Sequence, residues 1–417
     1  MKLDRERLNR VLRPHQTRPR ALVIPPVSTP AEGPPLERLV GGQVMATPYG
    51  SCLVVERRYP LDERRGPARL GDLLHLPGVA VVRLNPYPGL DALDFRSAAF
   101  IDTETTGLSG GAGTLVFMVG VGRFEGDRFV VRQFFMRRPD EERALLDRVM
   151  DAVADAAAVV TFNGRSFDLP LLTTRFRLAR LEVPLADVPH FDLLTAARRV
   201  WRRRLDSCAL TNLEREILRY SRAADDVPGW LIPTLYQRYL WEGDVIPMAR
   251  VFYHNREDVL SMVALAAVLC RACSVPEEDD ALHPIDYTAL GWALEQSGDW
   301  SAAERAYRRA LADYLPDDVR CYALSRLGTL LKRQGRREEA AALWQEWITS
   351  VPGDDVTPFV ELAKHCEWHE RDLEAALMWS QWARQIVEGW PPGYRRDVTL
   401  GELDHRISRL RRKLERG

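Results

Sequence analysis

The sequence predicts an α/β domain, a mixed five-stranded sheet with helices, followed by an all-α domain of helical repeats. Three observations predict this. Strand-like runs at 98–103, 114–123 and 128–136 arrive in succession, the last two separated by the hairpin turn Glu125-Gly126-Asp127. Helix and strand then alternate: 141–154 sets Leu145, Leu146, Val149 and Val153 on one face, 157–162 is an apolar strand, and the next helix carries Leu171, Leu172 and Phe176. Finally, Leu290-Gly291, Ala303 and Tyr307 return as Leu327-Gly328, Ala340 and Trp344, and more loosely as Leu362-Ala363, Ala375 and Trp379, at steps of 37 and 35 residues.

Composition sets the bounds. A chain of 417 residues, 46% hydrophobic and 28% charged, can bury two or three ordinary cores. The formal net charge of −1 excludes a global electrostatic field for nucleic acid, so any such footprint must be a local patch. Six cysteines without framework spacing point to a reducing compartment. No apolar run approaches the ~18 residues that a membrane helix needs, and the start of the chain lacks the apolar core of a signal peptide. A cytoplasmic protein without a membrane partner is expected.

Taken in order, residues 1–38 are basic and then proline-rich, and are expected to be disordered. Residues 39–96 read as an N-terminal extension packed on the core, with short strands around 51–56 and 79–84 and a helical turn at 70–76. The α/β domain spans 97–273. A short fifth strand is expected at 190–193, and helices follow at 195–204, 210–218, 233–242 and 247–273; Pro233 and Pro247 occupy tolerated first-turn positions. The break at 274–280 is polar and contains a proline, so the repeats are placed at 281–417. Pro316 and Pro352 terminate repeats, and 401–417 puts Leu403, Ile407, Leu410 and Leu414 on one face as a capping helix.

The chain is organised around Ile101-Asp102-Thr103-Glu104-Thr105-Thr106-Gly107-Leu108. Two carboxylates two apart in a strand share a face and repel unless a cation or proton lies between them. Solvated edge charges would leave the same residues, but the apolar run before them and the turn after them favour a metal site. A second cluster, Phe162-Asn163-Gly164-Arg165-Ser166-Phe167-Asp168, sits at a strand-to-helix turn. A third, Tyr253-His254-Asn255-Arg256-Glu257-Asp258, is helical and sets His254 one turn before Asp258. Arginines crowd one helix end (Arg198, Arg199, Arg202, Arg203, Arg204) and an earlier helix (Arg175, Arg177, Arg180), as phosphate contacts or as a solvated face. The glycine-rich run at 110–113 lacks the lysine and hydroxyl of a phosphate cradle and reads as a loop.

The order of three antiparallel strands followed by alternating helix and strand is that of the ribonuclease-H-like fold. With the three acidic clusters in sequence, residues 97–273 resemble the DEDD-type exonucleases of that superfamily. The repeat spacing resembles tetratricopeptide repeats, and a bacterial group joining such a nuclease core to C-terminal repeats resembles most of the chain. The resemblance implies a metal-dependent 3′-to-5′ exonuclease acting on single-stranded or frayed DNA or RNA. Its two Mg²⁺ or Mn²⁺ ions would be held by Asp102, Glu104, Asp168 and Asp258. It assigns Gly107, Leu108 and Asn163 to the substrate, with Thr105 beside them, while the crowding of Arg198, Arg199 and Arg202 offers them as backbone contacts. Members carry a tyrosine four residues before the last aspartate or a histidine five before it. Here His254 is four before and Tyr253 five before, and helix geometry favours His254 as general base with Tyr253 as the alternative.

Two rivals use the same features. One is a protein-interaction scaffold in which the repeats work and the nuclease core is inactive. The other is a structure-specific endonuclease on the same fold and metals. In the leading reading the repeats recruit a protein partner or steer the substrate.

Overall fold

The computed structural model describes residues 34–107, 113–185, 187–223, 226–274, 282–351 and 353–416. Leu108, most of the 110–113 run, residues 275–280 of the expected break, Pro352 and nearly all of the expected disordered N-terminus lie outside the described residues. The strands are β1 (Gln43–Thr47), β2 (Gly50–Pro60), β3 (Arg64–Arg65), β4 (Ala68–Arg69), β5 (Ala98–Thr105), β6 (Val116–Glu125), β7 (Arg128–Phe135), β8 (Ala158–Thr161) and β9 (His190–Asp192). The chain divides into two compact units. One comprises residues up to Pro60 with 97–188 and 222–260; the other comprises 61–96, 189–221 and 261–417.

The first unit is a mixed sheet with helices. Its strands run in the order β1-β2-β7-β6-β5-β8. Strands β5, β6 and β7 are antiparallel neighbours, and β8 joins β5 in parallel, Ala98 opposite Ala158. The two-residue loop between β6 and β7 works because Gly126 adopts φ +59°, a left-handed conformation open to glycine at no steric cost. Strands β1 and β2, from the expected N-terminal extension, add to the five expected strands. Strand β2 pairs with β7 over eight residues, Leu53 opposite Phe135 to Pro60 opposite Arg128, so the extension prolongs the sheet and covers an edge otherwise open to association.

Helices bury the sheet's faces. Helix Glu142–Val153 sets Leu145, Leu146, Val149 and Val153, the predicted stripe, into one core with Ile101, Val119 and Phe134. Helix Asp168–Leu178 adds Leu171, Leu172 and Phe176 to the same core. Tyr236, on helix Ile232–Glu242, stacks on Phe117 at 4.0 Å and donates its hydroxyl to Met136 O at 3.0 Å, so its polar end is satisfied inside the core. The long helix Val245–Ser274 carries the third acidic cluster.

The second unit is mostly helical. Residues 79–84, expected as a strand, form the helix Val79–Leu84, in which Ala80 and Leu84 are buried one turn apart. A short apolar run fits either period, and here the Pro77 carbonyl, accepting from Ala80 N at 3.1 Å, starts the helical one. The expected turn at 70–76 is the 3₁₀ segment Leu70–His75, and β9 takes the place of the expected fifth strand. Arg204 clamps the buried carboxylate of Asp286 through bonds of 2.8 and 2.7 Å.

Three helical hairpins follow: Pro284–Gln296 with Trp300–Leu311, Asp317–Arg333 with Arg337–Ser350, and Thr357–His365 with Leu373–Glu388, then the last helix Tyr394–Leu414. The small residues of the repeat are explained by packing. A Cβ on Gly291 would lie 2.7 Å from Tyr307, and one on Gly328 2.5 Å from Trp344, so each hairpin closes an aromatic ring onto bare backbone. Among the described residues no helix is long and apolar enough to cross a membrane.

Candidate active site

Asp102 and Glu104 stand two apart on β5, opposite Gly120 and Met118 of β6. A register shift between Glu104 and Thr105 ends the regular pairing there, as expected of a sheet end next to a functional turn. Asp168 opens helix Asp168–Leu178, and His254 and Asp258 lie one turn apart on Val245–Ser274. Three separated stretches therefore converge, and each carboxylate feels the others.

The electrostatics record that convergence. Burial, then the charges of Asp258, Glu104 and Asp168, push Asp102 well above the usual carboxylate range, against a hydrogen bond from Asn255 that lowers it. Burial also pushes Glu104 from 4.5 up to about 8, helped by Asp258 and Asp168 and opposed by His254 and Arg222. Burial alone would lower His254, but Asp258, a hydrogen bond to Asp226 and the charge of Glu104 outweigh it and raise the imidazole from 6.5 to about 9. Asp226 moves the opposite way, because the His254 bond and the nearby Arg222 overcome its desolvation.

Side-chain bonds fix the positions. His254 Nδ1 is 2.8 Å from Asp226 Oδ1, and Nε2 faces Asp258 Oδ2 at 3.6 Å. The Tyr253 hydroxyl accepts from Ala223 N at 2.8 Å. The guanidinium of Arg222, only 6% exposed, donates to Asp258, lies 3.3 Å from Asp226 Oδ2 and approaches His254 Nδ1 at 3.3 Å. Thr103 donates its hydroxyl to Asp168. Asn255 donates to Asp102 Oδ2 at 2.8 Å, and its own oxygen accepts from Gln133 Nε2 at 2.9 Å. Gln133 Nε2 also donates to Phe252 O at 2.8 Å, so the amide orientation is determined.

Arg222, Asp226, Asn255, Thr103 and Gln133 were not legible as site residues in the sequence. Asn255 had a signal, since it sits between His254 and Asp258. Arg222 and Asp226 lie in an aperiodic loop far along the chain from their partners, and nothing local marks them.

The other expected residues fall as follows. Asn163 takes the turn with φ +68°, is exposed, and accepts from Ser166 N at 3.2 Å. Gly164 follows with a Cβ position only 2.4 Å from Thr161 Oγ1, so the turn admits no side chain there. Thr105 spends its hydroxyl on Gly107 O at 2.7 Å, bracing the turn after β5. Arg175 is buried in a bidentate pair with Glu142, 2.7 Å for the Nη2 arm, and is thereby corrected from a phosphate contact to a tie between two helices. Arg198, Arg199 and Arg202 belong to the second compact unit. Asp192 caps the helix Leu193–Trp201, accepting from Leu194 N at 3.0 Å.

Among the described residues no group of three or more His, Cys, Asp or Glu is gathered tightly enough to hold a metal ion. The donor chemistry nevertheless suits a hard cation. Burial, reinforced by the neighbouring carboxylates, raises two of the four, and the charges that oppose it are those of His254 and of the Arg222 guanidinium on Asp258.

Comparison with known proteins agrees with this architecture. Residues 99–270 match the RNase_H superfamily, and 287–318 match the tetratricopeptide repeat. A protein named "Uncharacterized protein YprB", from Bacillus subtilis (strain 168), is 31% identical over 370 residues, covering 87% of this chain and 86% of that one. The chain accordingly belongs to the family of that Bacillus protein, with an RNase H superfamily domain ahead of a tetratricopeptide-repeat region.

Proposed function

We propose that the protein is a metal-dependent nuclease that hydrolyses phosphodiester bonds from the 3′ end of single-stranded or frayed nucleic acid. One observation carries the reading: the charges of Asp168 and Asp258, from two helices, act on Asp102 and Glu104 of β5 in an RNase H superfamily domain. Such crowding costs free energy in a protein that never binds a cation there. In this reading the four carboxylates hold two Mg²⁺ or Mn²⁺ ions, which when bound supply the charge that lowers the pKa of an attacking water and steadies the leaving oxygen.

The chain's own residues do the rest. His254 directs Nε2 toward Asp258 while Asp226 holds Nδ1, so the imidazole is aimed at the acidic cluster; raised to about 9, it accepts the proton of the attacking water only in its neutral fraction, which grows as pH rises. Tyr253, engaged with the Ala223 amide, is the poorer candidate. Asn255 fixes Asp102. Asn163, Thr105 and Gly107 shape the turns flanking the acidic strand, where the terminal nucleotide would bind. Arg222 holds Asp258 in place. The repeats recruit a protein partner.

A second reading, a repeat scaffold with an inert core, is favoured by one fact: Arg222 already neutralises Asp258. The full-length protein, incubated with 3′-labelled linear and with circular single strands in Mn²⁺, separates the possibilities. Release of the 3′ label as mononucleotide with the circle left intact, abolished by Asp102→Asn, supports the exonuclease. Cut circles indicate an endonuclease, and intact substrates throughout indicate the scaffold.

A further inference from the structure

Within the second unit, the end of helix Leu193–Trp201 and the helices Pro284–Gln296 and Asp317–Arg333 line an open cavity of about 470 Å³. Arg198, Arg199, Arg202 and Arg203 line it together with Trp292 and Tyr322. No carboxylate lines the cavity, and among the described residues none of these four arginines has an acidic partner. The contrast is their neighbour Arg204, which is spent on Asp286. Arg203 stacks over the Tyr322 ring at 4.3 Å, which orients its guanidinium without neutralising it. Arg199 is half-buried, and its Nη1 reaches only the Arg83 carbonyl at 3.5 Å. Burial lowers it from its ordinary value with no opposing charge to offset the loss of water.

Four guanidinium groups converging without a carboxylate repel one another, and an anion is what relieves them. The planar forks suit phosphate oxygens. Trp292, 38% exposed beside them, offers an aromatic face of the kind on which a base stacks. Cavities of roughly 300–1,000 Å³ take small organic ligands, and this one is of nucleotide size rather than that of a bare ion.

We infer that this cavity binds a nucleotide phosphate, the arginines taking the phosphate and Trp292 the base, either on a free nucleotide or within a single strand. The inference goes beyond hydrolysis: it holds for an active and for an inert acidic cluster alike.

The test uses full-length protein in EDTA, so that cleavage plays no part, with a 5′-fluorescein-labelled oligothymidylate followed by fluorescence anisotropy. Both Arg198 and Arg202 are exposed, so Arg198→Glu/Arg202→Glu preserves the fold, which thermal denaturation verifies. The double variant should bind more than about 10-fold more weakly, since each lost charged hydrogen bond is worth about 1.5–3 kcal/mol. The slope of log affinity against log salt should become shallower by about 1.4, the value for two phosphates on a single strand. Trp292→Ala should also weaken binding. A matched charge change at exposed positions in the last helix, Arg411→Glu/Arg412→Glu, should leave affinity unchanged. Competition by thymidine 5′-monophosphate marks a free-nucleotide site, and competition by unlabelled strand alone marks a strand site; either supports the inference. Absence of binding by the unaltered protein, unchanged affinity in the cavity variant, or equal loss in both arginine pairs overturns it.

Discussion

Asn255 Nδ2 donates to Asp102 Oδ2 across 2.8 Å, tying the helix of the third acidic cluster to the strand of the first. The amide is wholly buried, and Gly120 leaves room for it, since a Cβ there would come within 2.3 Å of Asn255 Oδ1. Asn255→Asp keeps the shape and adds a negative charge beside a carboxyl already raised by its neighbours. The metal-free protein should lose at least about 1–3 kcal/mol of stability, the cost of a buried group left without its partner. Urea denaturation in EDTA measures it, and an unchanged midpoint would show that the bond carries no weight.

His254 and Tyr253 make opposite predictions for hydrolysis. Because the imidazole faces Asp258 while the phenol is occupied by the Ala223 amide, His254→Ala should lower kcat by about 10²–10⁴-fold and Tyr253→Phe should change it little. Asp226→Asn should fall between them, since it leaves the ring in place and removes the charge that orients it. Single-turnover rates on a labelled strand decide. A reversed order would transfer the proton-accepting role to Tyr253.

The acidic cluster also sets a pH dependence of stability. Glu104 titrates at about 8 in the fold against 4.5 ordinarily, so between those values the folded chain binds the extra proton, and stability falls as pH rises through that window. His254, raised from 6.5 to about 9, contributes in the same direction over its own window. The melting temperature in EDTA should therefore decline from pH 5 to pH 8. Adding Mn²⁺ should raise it most at the alkaline end, where the fewest protons compete with the ion for the ligands. Scanning calorimetry across that range is the measurement, and a metal-independent, flat profile would contradict it.

In the repeats, Gly328→Ala places a methyl group 2.5 Å from the Trp344 indole nitrogen. The hairpin Asp317–Arg333 with Arg337–Ser350 should open slightly, destabilising the protein by about 1–3 kcal/mol as overpacked cores do. Circular dichroism melts report it. Gly353→Ala, where a Cβ meets nothing within 4 Å, serves as the comparison.

The sequence by itself determined the layout of the sheet from β5 to β8, the amphipathic helix Glu142–Val153 and the helical hairpins, and it marked the acidic residues of the candidate site. Each follows from a short-range pattern: alternation, a helical stripe, or a small residue facing an aromatic one at fixed spacing. Tertiary structure decided what pattern cannot encode. Strand β2 closes on β7, and residues 79–84 turn helical because Ala80 and Leu84 find a core on one side. Arg222 and Asp226 reach Asp258 and His254 across about thirty residues of chain, a pairing set only by how the intervening helices pack. Whether an arginine serves a phosphate or a carboxylate likewise depends on its neighbours in space. Arg175 and Arg204 are spent on acids, Arg198 and Arg202 face an open cavity, and adjacency in sequence carries no record of the difference.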